Sequence, residues 1–353
     1  MVIKHRFKVI HLAWLMIFAL WLTNTPINIY SSTYNLTAVE ESNDLPRLAR
    51  LKGQIEEVIR TIQGEVGVAI KYLKTGEELN INGETPFPMA SVFKVPILVE
   101  VMAQIKEGRF SLDDEISLQP ADLHLGSGLL NDLQAPGIKL SVRNLIYLMM
   151  LISDNSATDI LLTKVGPDKV NQRLRTLGIE GITVNRTCQH LILDYLGLDY
   201  SQLQGLSLEE VVERLKEAQQ KNPAGVEQAR RKFSQIPQDQ STPRAMARLL
   251  ELIFTKQILD EASCDFIIKV MLRCQTGERR LKGDLPASVQ VAHKTGTIGG
   301  TVNDAGVIFL PYNRGQVVIV VFTKNTDNEK TEDVERVIAQ IARFVYDYFL
   351  FGE

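Results

Sequence analysis

Ser91 stands three residues before Lys94 in the run Ser91-Val92-Phe93-Lys94. A serine hydroxyl attacks a carbonyl only when a base removes its proton, and this spacing along a helix sets the lysine on the serine's own face. The lysine serves as that base only where burial and neighbouring cations draw its pKa toward neutrality. Pro88-Met89-Ala90 leads an extended chain into the run, so Ser91 falls near a helix N-terminus with its backbone N–H uncommitted. That N–H and the helix dipole favour an oxyanion on the attacked carbonyl. Alone, the pair fits a solvent-facing lysine on a surface helix, since a serine and a lysine at this spacing recur about once by chance in a chain this long.

Two more short runs follow in order, Ser153-Asp154-Asn155 and Lys294-Thr295-Gly296. The first reads locally as a helix-to-loop cap, because all three residue types favour such positions. In the second, alternation along Val289 to Thr295 turns Lys294 to the face opposite His293 and Thr295. Lys294 supplies the second cation that Lys94 needs, Gly296 admits another backbone, and His293 reads as structural.

The ordered trio resembles the three-motif pattern of class A β-lactamases and penicillin-binding proteins. The resemblance covers about residues 45–349 and implies roles for individual positions. Ser91 is then the nucleophile and Lys94 its base, Ser153 passes a proton to the departing nitrogen, and Asn155 orients the substrate amide and Lys94. Lys294 with the hydroxyls of Thr295 and Thr297 attracts the substrate carboxylate, the edge at Gly296 pairs with the acyl amide, and the backbone N–H groups of Ser91 and Thr297 form the oxyanion hole. Arg186 and Asp239, the latter with Ser241-Thr242-Pro243, match the neck of the family's omega loop. The glutamate that drives deacylation from that loop is replaced by Cys188, and the asparagine nearby by Ile192; His190, Asp194 and Asp199 are the nearest groups that could substitute. The arginine often found on the strand after the third motif is Asn303, and Arg280 falls where some members carry its substitute for carboxylate binding.

The implied activity is a serine hydrolase acylated at Ser91 by β-lactams or related amides and esters, with deacylation impaired. A D-Ala-D-Ala peptidase, transpeptidase or esterase is the alternative, and a catalytically retired binding module a further one. The substrate is a small β-lactam or a cell-wall peptide. No cofactor or metal is implied.

The elements that must position these residues are legible in outline. Residues 46–64 carry apolar Leu48, Leu51, Ile55, Val58, Ile59 and Ile62 at helical spacing, and Val66–Tyr72 and Glu78–Ile81 read as strands joined at Lys74-Thr75-Gly76. Residues 91–176 read as helical, with Ser141 as a cap. Val289–His293, Gly306–Leu310 and Gln316–Phe322 are β-rich, with a turn over Pro311–Gly315, and a helix closes the chain from Thr331 to about Phe349. The second and third motifs stand 141 residues apart, longer than the family usually shows. The excess lies in the omega loop, where the capping box Ser207/Glu210 opens an extra helix that Asn222-Pro223-Ala224-Gly225 stops, within an insertion at about 196–236. The fold class is α+β, an antiparallel sheet flanked by helices beside an all-helical subdomain, with the site between the lobes.

At 353 residues and a formal charge of −3, with basic and acidic residues interspersed, the chain is a poor candidate for nucleic-acid binding. Lys4, Arg6 and Lys8 precede the 14-residue apolar run Val9–Leu22, shorter than the roughly 20 residues that span a bilayer. Residues 1–30 therefore read as a signal peptide, with a membrane tether through 9–22 as the alternative, residues 31–44 as a linker and 45–353 as the hydrolase domain. The expected location is extracytoplasmic and the expected state a monomer. The three cysteines, Cys188, Cys264 and Cys274, do not suggest a disulfide framework, and the last two sit on one expected helix too far apart to pair.

Overall fold

The structure, a computed structural model, describes residues 47–352, so the expected signal segment and linker lie outside the described residues. Eleven helices lie among the described residues: α1 (Arg47–Ile59), α2 (Lys94–Lys106), α3 (Val142–Leu151), α4 (Asn155–Val165), α5 (Pro167–Thr176), α6 (Cys188–Tyr195), α7 (Leu208–Lys221), α8 (Pro223–Lys232), α9 (Pro243–Phe254), α10 (Glu261–Met271) and α11 (Thr331–Phe351). The strands are β1 (Glu65–Tyr72), β2 (Glu78–Ile81), β3 (Phe87–Pro88), β4 (Glu115–Ser117), β5 (Lys139–Ser141), β6 (Gln240–Ser241), β7 (Val291–Ile298), β8 (Thr301–Leu310) and β9 (Gly315–Lys324). The architecture is the expected α+β arrangement.

Five antiparallel strands form the main sheet in the order β2-β1-β9-β8-β7. Both faces are covered. On β9, Val317, Ile319 and Val321 enter the core shared with α1 and α11, while Val318, Val320 and Phe322 enter the core shared with the helical lobe. Each such side chain contributes roughly 1.5–3 kcal/mol on burial. A strand apolar on both faces loses its polar alternation, which is why β7 to β9 extend beyond the segments legible in the sequence.

The helical lobe is built around α2, whose residues from Lys94 to Gln104 are all buried, the mark of a helix enclosed on every side. It does not continue unbroken to α3. Gly108 at φ 73° ends α2, and Asp113-Asp114, Pro120, Gly126, Gly128 and Pro136-Gly137 keep the chain irregular apart from the β4/β5 hairpin. Ser141 caps α3 as expected, accepting the N–H of Asn144.

The insertion holds more helix than its capping box foretold. Ser207 and Glu210 cap α7, which ends at Asn222 as expected, and Asn222 then caps α8 by accepting the N–H of Gly225 at 3.0 Å, so the residues expected to end one helix also begin another. Leu193, Leu203 and Val211 form a small separate core beneath it. A second correction concerns the cysteines: α10 ends at Met271 and Cys274 lies past it, and all three cysteines are free and buried.

Candidate active site

Between the lobes lies a cavity of about 470 Å³, lined by residues of all three motifs, by β7 and by α6. Ser91 sits in a 3₁₀ turn, Ala90–Phe93, that runs directly into α2, and Ala90 before it is held at φ 46°. A non-glycine residue in this region is strained, and the surroundings must impose it. They do: Met89 donates its N–H to Asp239 O at 3.1 Å, and buried Asn303 holds the carbonyls of Pro88 and Met89 at 2.8 and 3.2 Å. Asn303 is thus a brace between the sheet and the turn that carries Ser91.

Lys94 opens α2 and is fully buried. Its Nζ donates to Ser153 O at 2.7 Å, Ser153 Oγ at 3.0 Å and Asn155 Oδ1 at 2.9 Å. Burial lowers its pKa, against the opposing influence of Cys188, Asp159 and Asp154. Lys294, equally buried, donates to Ser153 Oγ at 3.0 Å and Thr295 O at 2.8 Å. Burial first, then repulsion from Lys94 and Arg280, outweigh Cys274 and Asp304 and bring Lys294 to about 7.

Ser153 is held at φ 62° in the turn between α3 and α4. Asp154 fixes that turn by capping α4 through Ala157 N at 2.8 Å and by accepting Leu129 N and Leu130 N at 2.7 and 2.9 Å. The opposing loop must come close. A Cβ on Gly128, which has φ 141°, would lie 2.4 Å from the Asp154 carboxyl, and Ser127 donates to Ser153 O at 2.8 Å. The run Gly126-Ser127-Gly128 was the sequence signal for this loop, and the motifs alone did not reveal it.

On β7, Gly296 lies against the turn that carries Ser91: a Cβ there would sit 2.5 Å from Met89 O and 2.9 Å from Ser91 N. Thr295 is buried and shares a 2.5 Å hydrogen bond with Thr276, a lining residue the sequence reading missed. Thr297 is exposed at the mouth. Arg280 lines the cavity too, but both N–H groups of Nη1 go to Gly296 O and Asn303 O, Nε pairs with Glu335, and Nη2 donates to Thr297 Oγ1 at 2.7 Å. It therefore holds β7, β8 and α11 together and presents little of its fork to a ligand.

Arg186 and Asp239 meet at the omega-loop neck, Nε to Oδ2 at 2.6 Å, both buried. Beyond them, Cys188, Leu191, Ile192, Tyr195 and Leu196 form the cavity wall. Burial and the charge of Asp159 push the Cys188 thiol well above its usual range despite Lys94, so it stays protonated. The three possible substitutes are engaged elsewhere: Asp194 with Arg186 at 2.7 Å, Asp199 as a cap on Ser201 N, and His190 stacked 4.4 Å from Tyr200. Among the described residues, no carboxylate or imidazole lines the cavity.

The profile of the β-lactamase enzyme family matches residues 50–349. The chain belongs to that family. It is 30% identical to the β-lactamase VEB-1 of Pseudomonas aeruginosa, over 84% of this chain and 89% of that protein. Among solved structures it is similar to a β-lactamase from Chitinophaga pinensis, with a TM-score of 0.68, 30% identity and coverage of 84% of this chain and 98% of the other. It is also similar to a PBP-A mutant captured as its acyl-enzyme complex with penicillin G, with a TM-score of 0.67, 26% identity and coverage of 86% and 97%. The protein is a serine hydrolase of the class A β-lactamase kind.

Proposed function

We propose that this β-lactamase-family enzyme is acylated at Ser91 by β-lactams or related amides and esters and releases the acyl group slowly. The observation that carries the reading is Ser153 Oγ, held at 3.0 Å by both Lys94 and Lys294 beside a cavity whose omega-loop wall has no acid or base.

The charged form of Lys94 commits its three donors to Ser153 O, Ser153 Oγ and Asn155 Oδ1. Loss of one proton, eased by burial, frees a lone pair for the Ser91 hydroxyl. Ser91 Oγ then bonds to the substrate carbonyl carbon as its proton passes to Lys94, and the backbone N–H groups of Ser91 and Thr297 receive the oxyanion. As the carbonyl–nitrogen bond breaks, Ser153 delivers a proton to the leaving nitrogen and takes one from its lysine neighbours. Lys294 and the hydroxyls of Thr295 and Thr297 hold the substrate carboxylate, and Arg280 acts by steadying Thr297.

Hydrolysis of the adduct needs a base for water, and such help is worth roughly 10² to 10⁴ in rate. Its absence from the wall supports a long-lived adduct, as does the likeness to a PBP-A acyl-enzyme. A cell-wall D-Ala-D-Ala peptidase or transpeptidase is the second reading; the same wall favours the transpeptidase, since an amine acceptor is a stronger nucleophile than water. The basic and apolar N-terminal segment supports export, with the tether through residues 9–22 as its alternative. Incubation with a fluorescent penicillin tests the reading. A covalent label lost in Ser91→Ala and released slowly is expected; no label, or one indifferent to Ser91→Ala, refutes it.

A further inference from the structure

The apolar side of the cavity plays no part in the chemistry above. On α6, Cys188, Leu191, Ile192, Tyr195 and Leu196 all line it at helical spacing, so one face of that helix is turned to the cavity, and Ile298 at the end of β7 lines it too. Such a face normally enters a core. Here the core lies on the other side of α6, where Leu193 packs with Leu203 and Val211 under the insertion, and Ile192, Tyr195, Leu196 and Ile298 are left half-buried. The helix is held firmly in this orientation: Asp159 accepts the N–H groups of Cys188 and Gln189 at 2.5 and 3.0 Å, and Thr187 accepts that of His190 at 3.2 Å.

Both ends of the face meet other walls of the site. A Cβ on Gly126 would overlap Asn155 Nδ2 and lie 3.0 Å from Ile192 Cδ1, so Ile192 stands beside the side chain that orients the substrate amide. At the other end the ring of Tyr195 packs on Gly299, where a Cβ would fall 2.7 Å from Cε2 and 2.8 Å from the hydroxyl oxygen. Two residues of the insertion back that ring, Phe233 nearly edge-on at 5.3 Å and Arg230 at 5.6 Å. We propose that this face of α6, closed by Tyr195 and Ile298, determines specificity by taking an uncharged apolar acyl group, arylacetyl or of similar size, on the donor that acylates Ser91. The insertion serves it by holding α6 and Tyr195 in place.

Direction, size and charge agree on this occupant. A donor whose acyl amide pairs with the edge at Gly296 carries its acyl group past Thr297 toward Ile298 and Tyr195. The cavity of about 470 Å³ is within the range that encloses a drug-sized ligand. An apolar group gains by displacing water from its own surface and from the half-buried side chains. A charged one loses its water without a partner, because among the described residues no carboxylate or imidazole lines the cavity. The cation that does, Arg280, is committed to Gly296 O, Asn303 O, Glu335 and Thr297.

The inference deepens the acylation reading and rests on it, and its test separates the two. Three penicillins with the same nucleus and ring carboxylate differ only in the acyl group: phenylacetyl, α-carboxyphenylacetyl and acetyl. Second-order labelling of Ser91 in the full-length protein, followed by mass spectrometry, should be roughly tenfold or more faster with phenylacetyl than with either of the others, the scale on which an apolar pocket discriminates. Ile192→Lys should lower the ratio of phenylacetyl to acetyl labelling and raise the carboxylated compound relative to both. A packing defect would slow all three alike. Equal rates in the wild type, or ratios unmoved in Ile192→Lys, overturn the proposal. If no compound labels Ser91, the acylation reading fails, and calorimetric binding of the three to Ser91→Ala decides the apolar face: the same order supports it, and equal or absent binding overturns it.

Discussion

Lys294 Nζ donates to Ser153 Oγ at 3.0 Å, joining two motifs that stand 141 residues apart in the chain. The bond crosses from the sheet to the helical lobe, so the site is complete only where the two lobes pack together. It also places the hydroxyl between two buried lysines, since Lys94 reaches it at 3.0 Å from the other side. Burial lowers the proton affinity of both, and the charge of Lys94 lowers that of Lys294 further.

The acylation profile follows from Lys294. Its charge is present below about 7 and lost as pH rises through that value, so the free enzyme's affinity for a carboxylate-bearing penicillin falls on the alkaline side. Second-order labelling rates should show an alkaline limb near 7 that is absent in Lys294→Met. A profile flat from pH 6 to about 9 would contradict this.

Folding stability should respond to the same group with the opposite sense. Lys294 lies at about 7 in the fold and near 10.4 in an unfolded chain, so between those values the unfolded state binds the extra proton and stability rises with pH. Thermal midpoints of wild type and Lys294→Met, compared at about pH 7 and 9, should move apart in favour of the wild type. Parallel changes in the two proteins would rule this linkage out.

Cys188→Glu should hasten release of the acyl group. Position 188 lines the cavity, and its thiol is near enough to Lys94 to feel its charge. A carboxylate there supplies general-base help of roughly 10² to 10⁴. The decay of the Ser91 adduct by mass spectrometry reads it directly, and an unchanged lifetime in a folded variant would count against the proposed cause of slow release.

Asp239→Ala should be costly. Its carboxylate is buried, pairs with Arg186 at 2.6 Å and accepts the N–H of Asn185 at 2.7 Å, while its own carbonyl receives Met89 N. Breaking a buried pair on one side costs about 3–5 kcal/mol. Urea unfolding should show that loss together with weaker labelling, because the neck also holds the strained turn before Ser91.

Gly296→Ala should impair acylation more than folding. The added Cβ would meet Met89 O at 2.5 Å and Ser91 N at 2.9 Å, forcing β7 away from the oxyanion donor. Labelling should fall by roughly 10² or more, the scale of losing one such donor, with a small change in unfolding midpoint. Unimpaired labelling would mean the edge yields freely.

Local chemistry was readable from the chain wherever neighbours in sequence decide it. Ser141 and Ser207 cap their helices because the partner N–H lies three residues on, and β1 and β2 stand where β-branched residues flank Lys74-Thr75-Gly76. The ordered motifs likewise pointed to one cavity, which Ser91, Ser153 and Thr295 line, with Lys294 buried beside it and bonded to Ser153. Three features lie beyond what local pattern carries. Asn222-Pro223 resembles a stop signal but also starts α8, and only packing on α6 decides between them. The segment 107–141 is apolar enough for helix, yet its glycines must let a loop touch Asp154 and Asn155. Arg280 carries the chemistry of a carboxylate ligand, but its fork is taken up by carbonyls of strands distant in sequence.

By itself, then, the sequence determined the family and the α+β class, since the ordered motifs and the succession of helical and β-rich segments are both written in residue type and spacing. The tertiary structure decided burial and orientation: which atoms Lys94 holds, that Lys294 meets Ser153, and that Arg280 is tied to the carbonyls of Gly296 and Asn303. Those depend on burial and on contacts at hydrogen-bond range between residues far apart in the chain, and desolvation is a property of the packed interior that no single segment possesses.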